Sequence, residues 1–274
     1  MGCNLDLGPV WRNLHLALAG IRCKRAAMFK IVGHLALVVF WTLLTQLGGI
    51  AWLGALMFRR RLLAFLLLYA GLSLAADRAA PHFGRVALSC WERGPLQMQS
   101  WLYCALNRNY VTRELADVLQ GTAGAVDSTY PGTVTQVLDA NFPFLTGFPL
   151  LPHLSHHDGR KADLAFYYAG AKGYSPKATR SPIGYFAFEQ GPTECPDNWL
   201  TLRWDFEVLQ PLWQDLEVDA DRTRHLLRIL ETDSRVGKIF LEPHLQSRLG
   251  LRTGKLKFQG CRAARHDDHI HLQL

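Results

Sequence analysis

Six of the nine histidines beyond residue 76 fall in two short stretches. His153, His156 and His157 lie in Pro152–Asp163 (PHLSHHDGRKAD), and His266, His269 and His271 lie in Arg265–Leu274 (RHDDHIHLQL). Imidazole binds metals readily and exchanges protons near neutral pH. Two imidazoles, the carboxylate of Asp163 and a water would complete a tetrahedral zinc shell with an open catalytic position. Zinc in such a shell acidifies its water and polarises a carbonyl. A further histidine nearby would serve as general base or stabilise a developing oxyanion.

Strand periodicity is what would bring these groups together. Read as a strand, His269–Leu274 sends His269, His271 and Gln273 to one face and Ile270, Leu272 and Leu274 to the other. Read the same way, Ala162–Tyr168 places Asp163 opposite Leu164 and Phe166. If the two strands are neighbours, a carboxylate and two imidazoles converge. His156 would return over that face through a turn at Gly159. A His-x-His at a chain end, taken alone, is equally the outward face of an edge strand, so the weight rests on the combination.

The remaining elements are the scaffold for that pair of strands. Spacing predicts a helix over Thr112–Gln120 stopped by Gly121, a loop over 121–132 and a strand over Thr133–Leu138. Asn141–Pro152, with three prolines, reads as extended chain lining something, and 169–200 reads as a long surface excursion. A helix over Asp221–Glu231 precedes a strand over Val236–Leu241. Pro243 starts a short helix that Gly250 ends, and Lys255–Phe258 is a further strand. The expected class is α+β: a small antiparallel sheet carrying a zinc site with flanking helices, preceded by an N-terminal hydrophobic segment.

The formal charge of +7 on the 274 residues has one source. Residues 1–76 hold eight basic residues against one acidic residue, Asp6, whereas the rest of the chain balances. A neutral remainder has no general pull toward phosphate, so no nucleic-acid partner is expected. Ile31–Phe58 lacks any Lys, Arg, Asp or Glu over 28 residues, long enough for a membrane span. Met57, Arg59–Arg61, the apolar run Leu62–Ala76 and the small residues Ser73 and Ala75 match a signal peptide cleaved before Ala76. A two-pass hairpin and a single uncleaved anchor are the rival readings. The expected divisions are 1–76, a basic hydrophobic region, 77–139, the first part of the exported chain, and 140–274, a metal-site domain. Export would leave Cys90, Cys104, Cys195 and Cys261, whose pairing the sequence leaves open. The chain has no Gly-x-Ser-x-Gly elbow and no phosphate-binding glycine loop.

Together these residues resemble the penicillin-insensitive murein endopeptidases, in the zinc peptidase group shared with lysostaphin, D-Ala-D-Ala peptidases and the hedgehog domain. The pattern His-x-x-His-x-x-Gly-x-x-x-Asp is met by His153, His156, Gly159 and Asp163, and His-x-x-His-x-His by His266, His269 and His271. Asp233–Gly250 resembles the family's strand, proline and short helix, so the likeness covers roughly half the chain, residues 140–274. It implies zinc held by His156, Asp163 and His271, catalysis aided by His269, and a substrate pocket lined by His153, His266 and Ser155. It also implies hydrolysis of peptidoglycan cross-links that involve D-amino acids, in the periplasm; the N-terminal segment, by its own composition, would hold the chain to the inner membrane if uncleaved. A D,D-carboxypeptidase or dipeptidase, or a non-catalytic zinc or murein-binding module, are the alternatives. Arg160, Lys161, Asp267 and Asp268 depart from the family pattern around the two motifs.

Overall fold

The computed structural model describes residues 9–196 and 201–274, in two compact units, 1–70 and 71–274. The N-terminal unit holds α1 (Pro9–Thr45), α2 (Gly48–Ala55) and the start of α3 (Arg61–Ala79). The uncharged run Ile31–Phe58 is not one continuous helix. It breaks at Gln46, whose φ of 65° is left-handed, and α2 folds back on α1. Gly49 allows the approach: a Cβ there would sit 1.8 Å from Thr42 Oγ1. Among the described residues, Ala27–Thr45 and Arg61–Phe83 are long and apolar enough to cross a membrane. An apolar helix at this end suits either a signal sequence or an anchor.

The second unit begins on the C-terminal part of α3 and continues through β1 (Val86–Ala87), β2 (Leu96–Met98), α4 (Trp101–Ala105) and β3 (Tyr110–Val111). Then come α5 (Arg113–Thr129), β4 (Thr135–Val137), β5 (Lys161–Leu164), β6 (Tyr168–Gly170) and β7 (Gly173–Tyr174). The chain ends with β8 (Glu217–Val218), α6 (Ala220–Thr232), β9 (Lys238–Phe240), α7 (Pro243–Arg248), β10 (Leu256–Lys257) and β11 (Ile270–Gln273). The class is α+β, as expected.

The principal sheet has six strands in the order β10-β9-β11-β5-β4-β2. It is mixed rather than wholly antiparallel, because both outer pairs, β10/β9 and β2/β4, run parallel. Strands on both sides of residue 140 share it, so 77–139 and 140–274 fold around one sheet. Smaller sheets pair β1 with β3 and order β7-β6-β8.

Packing explains where helix prediction fell short. Thr112 caps α5, its Oγ1 accepting from Leu115 N at 3.3 Å, as a helix start at Thr112 requires. The helix then runs through Gly121 to Thr129, because Thr122, Ala123 and Val126 continue the buried stripe. Their burial outweighs the roughly 1 kcal/mol that a mid-helix glycine costs. α6 matches its expected range within a residue; Asp219 caps it and Leu226, Leu227 and Leu230 are buried. These leucines join Leu115, Leu119, Val137, Leu164, Ile239, Ile270 and Leu272 in one hydrophobic core. Within the 169–200 excursion lie part of β6 and all of β7, while 197–200 fall outside the described residues. The open cysteine pairing resolves into Cys90–Cys104 and Cys195–Cys261.

Candidate metal centre

The register of β11 on β5 creates the site. Ile270 pairs with Leu164 and Leu272 with Ala162, all four buried in the core. His271 and Asp163 pair on the opposite face, with Phe240 of β9 beside His271. His156 reaches the same face from the loop before β5. Asn141 shapes that loop, its Nδ2 donating to Lys161 O (2.8 Å) and its Oδ1 accepting from Gly159 N (3.0 Å). Gly159 has a φ of 81°, and a Cβ there would lie 3.2 Å from Arg85 Nε. Arg85, almost fully buried, ties the loop down by donating to Phe142 O (2.6 Å) and Thr146 Oγ1 (3.2 Å).

Three donor atoms converge. His156 Nε2 lies 3.1 Å from His271 Nδ1 and 3.3 Å from Asp163 Oδ1, and His271 Nδ1 lies 2.8 Å from Asp163 Oδ1. His156 Nδ1 donates to Ala140 O at 2.7 Å, a bond that fixes the ring and turns Nε2 toward the cluster. Tyr185 donates its hydroxyl to Asp163 Oδ2 at 2.8 Å. His153, His156 and Asp163 also each place a ligand atom within 4.8 Å of the others, and this buried group can hold a metal ion. His153 Nδ1 sits between two carboxylates, 3.0 Å from Asp139 Oδ2 and 3.2 Å from Asp163 Oδ2. His271 Nδ1, 2.8 Å from Asp163 Oδ1, faces a carboxylate in the same way, so His153 and His271 are both placed to join His156 and Asp163.

Strand alternation predicts His269 and His271 on one face. His269 and His271 do share the site, but both are buried. His153, with a side chain 20% exposed, is the member nearest solvent. His269 Nδ1 lies 2.5 Å from Asp268 Oδ1 and its Nε2 3.7 Å from Asp163 Oδ1. Burial opposes charge on His269, but Asp163 and Asp268 outweigh it and raise the imidazole to about 9. His156 is likewise raised against its burial, chiefly by Asp163. Burial lowers His271 to about 4 despite its bond to Asp163. Burial, with His269 and His271 beside it, pushes His266 well down. Metal coordination requires neutral imidazole, so a cation here would compete with the protonation of His156 that Asp163 favours.

The structure brings His153, His156, Asp163, His266, His269 and His271 together. The His266 ring centroid lies 4.9 Å from that of His269 and 5.6 Å from that of His271. Its buried Nδ1 has no hydrogen-bond partner among the described residues. Ser155 occupies the turn between His153 and His156, half-buried, with its carbonyl accepting from His157 N (3.0 Å). His157 is half-buried. Lys161 is buried and paired with Asp158.

Sequence reasoning missed the supporting shell. Asp139 receives both Arg108 Nε (2.9 Å) and Arg108 Nη2, besides His153. Arg108 also donates to Leu151 O at 2.7 Å, close to His153 in the chain. Burial alone would raise the Asp139 carboxyl, but Arg108 and His153 hold it down at about 2. Asp268 accepts from Phe186 N at 2.6 Å as well as facing His269. The one available signal for Asp139 was a carboxylate closing the apolar strand that ends at Leu138; Arg108 and Tyr185 had none.

The fold and site define an α+β protein with an N-terminal apolar helix and a buried His/Asp cluster suited to a metal ion. No known protein family's model matches the chain, and neither does any curated protein.

Proposed function

We propose that the chain is a zinc-dependent peptidase that hydrolyses peptidoglycan cross-links involving D-amino acids, as its resemblance to the penicillin-insensitive murein endopeptidases implies. The observation that carries this reading is the trio His156 Nε2, Asp163 Oδ1 and His271 Nδ1, spaced 2.8–3.3 Å apart. Tetrahedral zinc with bonds of about 2.0–2.1 Å separates its ligands by about 3.4 Å, so these donors need only tenths of an ångström of adjustment. Two imidazoles and a carboxylate are also a donor set typical of hydrolytic zinc.

When bound, zinc would supply an acidified water and polarise the scissile carbonyl. The chain's own groups do the rest. Asp268 orients His269 and favours its charged form, leaving Nε2–H beside Asp163 to meet the developing oxyanion. His153, held by Asp139, stands at the solvent side, where a peptide arrives. Neutral His266 presents an unpartnered Nδ1 for a hydrogen bond to substrate. Ser155, half-buried in the turn between His153 and His156, is the residue the resemblance adds to that pocket. The two disulfides suit an oxidising compartment such as the periplasm.

The test is conversion of cross-linked muropeptide dimers to monomers by full-length protein in detergent with zinc. No release beyond an Asp163→Ala control would overturn the reading. Free D-Ala in place of monomers would redirect it to a D,D-carboxypeptidase.

A further inference from the structure

The fold-back of α2 on α1 and the position of the basic residues carry an inference independent of the peptidase reading. We propose that the α1–α2 hairpin enters the lipid bilayer from one face and turns back at about mid-depth. On this proposal α3 alone crosses, and the chain beyond Ala76 emerges on the opposite side.

Length decides against a full crossing by α1. The eight residues of α2 cover about 12 Å, and the turn at 56–58 adds about 4 Å, against about 30 Å of hydrocarbon. If α1 crossed completely, Arg59, Arg60 and Arg61 would therefore lie near the bilayer midplane, where guanidinium groups are costly. A second measure gives the same depth. Arg61 Nη1 lies 3.4 Å from His34 Nε2, which puts the arginines level with a residue eleven positions before Thr45. Eleven helical residues are about 16 Å. Lys30 lies one turn further toward the same side.

The turning point is built for an apolar medium. Thr42 and Thr45 donate their hydroxyls to Val38 O (2.7 Å) and Trp41 O (2.8 Å). Gln46 N donates to Thr42 O (2.8 Å) and Gly48 N to Thr45 Oγ1 (2.9 Å). These bonds satisfy part of the hydrogen bonding at the break within the hairpin. Its outer surface is apolar, with Leu35, Val39, Phe40, Ile50 and Leu53 exposed.

α3 suits the crossing. Leu62–Ala76 carries no charge over 15 residues, about 22 Å, and the long arginine side chains extend its reach. At its far end Ala76 and Ala80 are buried, and Asp77 Oδ1 accepts from Tyr110 Oη at 2.5 Å. The helix thus continues into the folded unit, and the peptide bond before Ala76 lies within it. This arrangement collects Lys24, Arg25, Lys30 and Arg59–Arg61 on one side, the bias typical of a cytoplasmic face. A two-pass hairpin would split them.

The test uses the full chain with Cys3→Ser and Cys23→Ser; the other four cysteines are paired. Single cysteines are introduced as Lys30→Cys, Arg60→Cys and Lys172→Cys, and bacterial spheroplasts are treated with a membrane-impermeant maleimide. Lys172→Cys should label in intact spheroplasts, whereas Lys30→Cys and Arg60→Cys should label only after lysis. Arg60→Cys labelling from outside, or Lys172→Cys labelling only after lysis, overturns the arrangement. So does a membrane-free mature chain that begins near Ala76. Zinc content and peptidase activity play no part in any of these outcomes.

Discussion

His271 and Asp163 stand opposite each other across the β11–β5 ladder, with His271 Nδ1 2.8 Å from Asp163 Oδ1. A sequence separation of 108 makes this the contact that closes the site. Because side chains alternate along a strand, the register that seats Ile270 and Leu272 in the core also aims His271 at Asp163. Folding energy and site assembly are therefore coupled.

That coupling predicts a metal-dependent stability. Full-length protein should bind about one zinc per chain, and chelation should lower its unfolding midpoint. Zinc at about a thousand times its dissociation constant adds about 4 kcal/mol to the folded state. Asp163→Ala removes a ligand and should abolish most of that increment. Thermal scans with and without zinc check this, and an equal zinc response in Asp163→Ala would sink it.

His269 should separate binding from turnover. It is fixed by Asp268 and does not belong to the closest donor trio. His269→Ala should therefore keep zinc while dimer cleavage falls by roughly a hundred- to ten-thousand-fold. Zinc analysis beside an activity assay makes the distinction; loss of the metal would instead make His269 a ligand.

The disulfides should contribute unequally. Cys90–Cys104 closes a separation of 14 residues and Cys195–Cys261 one of 66. On the chain-entropy account these correspond to about 3 and about 4 kcal/mol. Replacing Cys195 and Cys261 by serine should lower the unfolding midpoint more than replacing Cys90 and Cys104. Non-reducing peptide mapping checks the pairing itself, and cross-linked peptides in any other combination would contradict it.

The legible part of the molecule was the part with a period. Alternation gave the faces of His271 and Asp163 within their strands, the β11–β5 pairing joined those faces, and the leucine stripe located α6 within a residue. The end of α5 was not legible, because Gly121 is a stop signal only when nothing beyond it is buried, and Val126 is fully buried. The break at Gln46 was hidden inside a run read only for its lack of charge. The Arg108–Asp139 pair was hidden for a different reason. Lone charges carry no period, and only the folded chain shows that Asp139 sits under His153.

Arg108 and Asp139 give a prediction that divides stability from chemistry. Their side chains are only 8% and 2% exposed, so removing one partner strands a buried charge. Arg108→Met should destabilise the protein by about 3–5 kcal/mol. Replacing both, Arg108→Met with Asp139→Leu, leaves no stranded charge and should recover much of that loss, since well-packed apolar replacements of buried ion pairs are often neutral. Activity should not recover with it, because His153 Nδ1 loses the carboxylate that orients it at 3.0 Å. Denaturant unfolding and dimer cleavage, measured on the single and double variants, read the two effects separately. Full activity in the stable double variant would show that Asp139 serves only to neutralise Arg108.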